Sequence, residues 1–137
     1  MTERYYLDSS IWMDLYEDRK GYNNEPLGDY AWRLLSLIRA KKARIIITDL
    51  LIKELGGYYS PEQINGMMVL FEKLLDRIII QNEEYEEGYK ISSIRNIPLG
   101  DAIHAIVARN YNLILITRDK HFIRLKDISA FLRPEEI

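Results

Sequence analysis

Residues 98–122 read PLGDAIHAIVARNYNLILITRDKHF. Within them AIHAIVA (102–108) is apolar almost all round, which predicts a helix buried along its length. Asp101 opens that helix. The run Leu113, Ile114, Leu115 and Ile116 is short, apolar and bounded by polar residues, the pattern of a parallel strand covered on both faces. Asp119 follows that strand by one short turn. A buried helix leading into a buried strand is the unit of an α/β fold.

The same alternation extends outward. Apolar runs at residues 4–7, 44–47 and 77–80, with a weaker one at 128–132, predict the remaining strands. Between them, Ala31, Leu34, Leu35 and Ile38 recur at the helical period. So do Ile64, Met67, Met68, Phe71, Leu74 and Leu75, behind a capping box of Ser60, Pro61 and Gln63. The expected fold is α/β, with a mostly parallel central sheet of four to five strands and helices on both faces. Residues 21–28 (GYNNEPLG) read as a loop, and Glu83, Glu84, Glu86 and Glu87 as an acidic first helical turn. Repeats, low-complexity tracts and linkers are missing, so residues 1–137 are expected to form a single domain.

Composition narrows the class. A chain of 137 residues can bury about two thirds of its unfolded surface. Its 47% hydrophobic and 29% charged residues are the balance of a globular protein. No run approaches the ~18 apolar residues of a membrane span, and residues 1–6 carry no signal-peptide pattern. The lack of cysteine excludes disulfides and thiolate zinc sites and suits a reducing cytosol, so a cytoplasmic location is expected. A net charge of −2 lacks the basic footprint of many nucleic-acid binders. Clustered catalytic acids lower that total while a bound cation restores charge locally, so the partner stays open.

The positions of four acids carry the functional reading. Asp8 follows the first strand, Asp119 the fourth, Asp101 opens the buried helix, and Glu54 lies on the helix after the second strand. In a parallel sheet all C-terminal strand ends share one edge, and open α/β sheets bind ligands there, where strand order reverses. Asp8 and Asp119 also suit helix caps, and Asp49 competes with Glu54 for the place of second acid. Gathering several carboxylates costs roughly several kcal/mol in repulsion and desolvation unless a cation compensates. Oxygen donors without clustered Cys or His point to Mg²⁺ or Mn²⁺, ions that serve phosphoryl chemistry.

These residues resemble the motifs of PIN domains. YYLDSSIWMD (5–14) is similar to the opening motif, a strand ending in Asp8 with a small hydroxyl residue, Ser10, two positions on. TDLLIKEL (48–55) resembles the second motif and maps the acid onto Glu54, not Asp49. Residues 98–122 resemble the third and fourth together, with Asp101, the hydroxyl Thr117 and Asp119; LRPEEI (132–137) is similar to the Pro-containing ending of such chains. His121 departs from the pattern, since many relatives carry a further acid there. The resemblance covers essentially the whole chain.

It implies a three-layer α/β/α fold and a Mg²⁺- or Mn²⁺-dependent endoribonuclease. It further implies a homodimeric VapC-type toxin held silent by a small antitoxin. Asp8, Glu54, Asp101 and Asp119 would hold metal or orient water, with Ser10 and Thr117 supporting their carboxylates. A housekeeping RNA-processing nuclease and a catalytically inactive PIN-fold interaction module are the alternatives. An aspartyl-phosphate phosphatase needs a second Asp where this chain has Ser10. A receiver domain needs an Asp after the third strand, where Gln81 and Asn82 stand.

Other residues have plainer readings beside the functional ones. Arg118 and Lys120, with Arg124, suit RNA phosphates at the mouth of the site or solvated helix charges. His121 reads as a surface or packing histidine and His104 as a satisfied core histidine. Arg39, Lys41, Lys42 and Arg44 read as a solvated turn on the opposite sheet edge. Of Trp12, Trp32, Tyr58 and Tyr59, some are expected at a dimer interface or antitoxin groove and the others in half-buried packing.

Overall fold

A computed structural model describes residues 2–137. Five strands form one sheet: β1 (Arg4–Leu7), β2 (Arg44–Thr48), β3 (Leu75–Ile78), β4 (Ile114–Ile116) and β5 (Phe131–Leu132). Their order is β3-β2-β1-β4-β5 and every pairing is parallel. The chain lays β2 and β3 on one side of β1, then crosses to lay β4 and β5 on the other. Strand order therefore reverses between β1 and β4, and a crevice opens beyond their C-terminal ends.

Strand side chains alternate between two cores. Tyr5, Leu7, Ile45, Ile47 and Ile116 face one cluster with α1 (Ser9–Glu17), α2 (Leu27–Lys41), α3 (Asp49–Gly56) and α4 (Pro61–Met68). Tyr6, Ile46 and Leu115 face the other, with α5 (Asn82–Arg95) and α6 (Leu99–Asn110). The period-two pattern thus makes three layers, as the α/β/α expectation required. Ala102, Ile103, His104, Ala105, Ile106, Val107 and Ala108 of α6 are all buried. Ser60 and Gln63 make the capping box that starts α4.

Three expectations shift. The third strand covers Leu75–Ile78 rather than residues 77–80. Ile79 turns outward, 56% exposed, and the Ile80 amide leaves the ladder to donate to Asp49 Oδ1 at 3.0 Å. The helix expected through residue 75 stops at Met68 and tightens into a 3₁₀ segment, Val69–Leu74, before β3. Gly66 stands in the last turn of α4, and Phe71 stays buried beyond it, so the apolar period runs on through the change of helix type. The last strand is only Phe131–Leu132.

Candidate active site and its carboxylates

Asp8 leaves β1 in extended conformation and caps α1, accepting from the Ser10 amide at 3.1 Å and the Ser10 hydroxyl at 2.6 Å. Its other oxygen accepts from the Thr117 hydroxyl. Asp8 thus caps α1 from a position at the C-terminal end of β1. Burial pushes the Asp8 carboxyl above its ordinary pKa, while the Ser10 and Thr117 hydroxyls pull it back.

Thr117 joins two of the acids. Its Oγ1 donates to Asp8 and accepts the Asp119 amide at 3.0 Å. Asp119 then caps a 3₁₀ turn, Lys120–Leu125, by accepting the His121 amide at 2.9 Å. The hydroxyl between β4 and the fourth acid therefore sets how Asp8 and Asp119 face the crevice.

Asp101 projects from the first turn of α6. Its carboxyl is raised to about 6, first by burial and next by the charge of Asp119. His121 Nδ1 lies 3.0 Å from Asp101 Oδ2 and 2.9 Å from Asp119 Oδ1. Asp101, Asp119 and His121 each offer a ligand atom within 4.8 Å of the others. His121, read from sequence as a surface or packing residue, is exposed yet stands between two acids. Its two-residue spacing from Asp119 was the available signal.

Glu54 on α3 reaches the start of α6. A Cβ at Gly100 would meet Glu54 Oε2 at 2.5 Å, so the glycine leaves room for that carboxylate. Glu54 Oε1 accepts from His104 Nε2 at 2.7 Å. Asp8 and Glu54 stand outside the 4.8 Å group of Asp101, Asp119 and His121. Asp49 is engaged elsewhere, accepting from the Ile80 amide at 3.0 Å and the Tyr85 hydroxyl at 3.2 Å.

Arg118 differs from its expected role as a phosphate grip. Its guanidinium donates twice to Glu135, at 2.9 and 2.5 Å, and its Nε lies 3.6 Å from Asp14 Oδ2. The Glu135 carboxylate, seventeen residues further along the chain, already fills the fork. Lys120 is exposed beside Asp119 and has no ion pair among the described residues.

The acids' chemistry suits a divalent cation. Among the described residues, Asp8, Glu54, Asp101 and Asp119 have no Lys or Arg partner; their partners are hydroxyls, amides and imidazoles. Asp101, Asp119 and His121 supply two oxygens and one nitrogen, a set that Mn²⁺ accepts readily and Mg²⁺ less so.

A parallel α/β/α sheet with acids gathered at its switch point defines the class, and the comparisons name the family. The chain belongs to the PIN domain family, whose model matches residues 5–128. Its fold is similar to VapBC2 from Rickettsia felis, solved with a DNA fragment from their promoter. The two share 21% identity, with TM-score 0.63 over 95% of this chain and 97% of that one. A toxin–antitoxin complex from Klebsiella pneumoniae is similar at 23% identity and TM-score 0.66, covering 97% and 99%. FitAcB from Neisseria gonorrhoeae is similar at 15% and 0.59, covering 96% and 99%. At these identities the likeness is one of fold. No curated protein matches the sequence.

Proposed function

We propose that this protein is a cytoplasmic, metal-dependent endoribonuclease that hydrolyses RNA phosphodiester bonds, and that it is the toxin of a VapBC-type toxin–antitoxin pair. The observation that carries the reading is the set of acids at the β1/β4 switch point with no Lys or Arg partner among the described residues. Membership of the PIN domain family supports it, and the solved toxin–antitoxin proteins of the same fold motivate the antitoxin partner.

In this reading Asp8, Glu54, Asp101 and Asp119 hold Mg²⁺ or Mn²⁺, and His121 Nδ1 adds a nitrogen donor. The ion supplies Lewis acidity, making water a stronger nucleophile at neutral pH and offsetting charge on phosphate oxygens. Ser10 and Thr117 keep the Asp8 oxygens aimed into the crevice. Lys120 contacts RNA phosphate, whereas Arg118 serves mainly to anchor Glu135. Exposed Trp32 and Tyr58 provide aromatic surface for a homodimer or the antitoxin.

The test is cleavage of a defined RNA with Mn²⁺ or Mg²⁺, using protein from a host lacking its major ribonucleases. Wild type is expected to cut and to stop when the metal is chelated. Wild-type protein that binds Mn²⁺ but cuts no RNA would favour the interaction-module alternative.

A further inference from the structure

A line of polar side chains runs from the core of the sheet to Glu54. Thr48, Tyr6 and His104 are each exposed by 1% or less, whereas the Glu54 side chain is 27% exposed. The Tyr6 hydroxyl lies 2.8 Å from Thr48 Oγ1 and 2.5 Å from His104 Nδ1, and His104 Nε2 lies 2.7 Å from Glu54 Oε1. The Tyr6 and His104 rings meet edge to face, with centroids 5.2 Å apart.

Donor and acceptor rules give the line a direction. A carboxylate only accepts, so His104 Nε2 carries the hydrogen that reaches Glu54. Nδ1 then accepts from the Tyr6 hydroxyl, and the Tyr6 oxygen accepts from the Thr48 hydroxyl. Burial raises the Tyr6 pKa well above the phenolic range, which keeps that O–H as a donor. Thr48 Oγ1 in turn accepts the Leu51 amide at 3.1 Å, capping α3, the helix that carries Glu54. One end of the line thus fixes the start of α3, and the other fixes a side chain on it.

Packing alone asks for none of these polar atoms, since apolar residues of similar volume fill buried sites without needing partners. We infer that His104 is a positioning residue that holds the Glu54 carboxylate at the acid-lined edge, with the Tyr6 hydroxyl donating to its other ring nitrogen. The inference rests on the reading of Glu54 as part of the site. Gly100 completes the clamp, leaving space for the oxygen that His104 does not hold.

The tests separate this role from plain core packing. His104→Leu removes the donor, and RNA cleavage should fall about 10- to 100-fold in kcat with KM for RNA unchanged. His104→Gln places an amide N–H where Nε2 stood and should recover most of that loss. The double variant Glu54→Gln with His104→Leu should be no slower than Glu54→Gln alone, because His104 acts through Glu54. Nitrogen NMR of the metal-free protein adds a readout independent of activity. His104 should show a single Nε2–H tautomer in wild type, and Glu54→Ala should release it into a mixture. A His104→Leu variant that cuts at the wild-type rate, or a mixed tautomer in wild type, would overturn the inference. Wild type that cuts no RNA but shows the single tautomer would sink the nuclease reading and leave the positioning of Glu54 standing.

Discussion

The two edges of the sheet use the same residue types to opposite ends. At the N-terminal edge, Arg44 forms a two-pronged pair with Asp76 at 2.9 and 2.7 Å, and Lys41 meets Glu3 at 2.7 Å. The Arg44 guanidinium holds the Asp76 carboxyl below its ordinary pKa. At the C-terminal edge, burial raises Asp8 and Asp101, and neither has a Lys or Arg partner among the described residues. Charge neutralised within the fold supports structure. Charge left over calls for a ligand.

The largest expected effect separates the edges by activity. Asp8→Asn and Asp101→Asn should each lower RNA cleavage about a thousandfold or more, since the acids act as a unit. Asp76→Asn should leave cleavage unchanged. Loss of activity in Asp76→Asn comparable to that in Asp8→Asn would erase the distinction.

Asp14 sharpens it, being a buried acid that does have a cation. Its pKa is raised to about 6 by burial, against the pull of Arg118 and Arg19. Because the folded value exceeds the unfolded one, protonated Asp14 favours the native state. That contribution is complete below about pH 4 and disappears as pH rises through about 6. Relative to Asp14→Asn, wild type should therefore lose about 1–3 kcal/mol between about pH 4 and pH 7. Parallel denaturation profiles across that range would count against an Asp14 whose pKa burial raises despite its arginine neighbours.

Asp49 lies on the same side as the acids but serves the fold. Asp49→Ala should lower stability by about 1–2 kcal/mol, because the Ile80 amide and Tyr85 hydroxyl lose their acceptor. Its cleavage rate should stay near wild type; a severe loss would return Asp49 to the site. Smaller still, Arg44→Ala should lower the melting temperature by a few degrees, about 1 kcal/mol or less for a half-exposed pair.

Much of this contrast was legible in the residues. The continuous apolar runs YYL and III predicted strands covered on both faces, and their alternation with helical stretches predicted helices on both sides of the sheet. Asp8, Asp101 and Asp119 could be assigned to one edge because parallel strands share it. Asp49 and Glu54 could not be separated by periodicity, since both lie on α3; the resemblance favoured Glu54, and the Ile80 amide explains what Asp49 does instead. His121 was underrated because a lone exposed histidine resembles any surface residue until the fold brings Asp101 beside it. The Arg118–Glu135 pair could not be read from sequence, because the two are seventeen residues apart and only folding brings them together.

Calorimetric titration of the metal-free protein with Mn²⁺ tests the central claim most directly. Wild type and Asp76→Asn should bind with equal affinity, and Asp101→Asn about tenfold or more weaker. Equal binding by Asp101→Asn and wild type, or no binding by wild type at millimolar Mn²⁺, would contradict a metal site at the carboxylate edge.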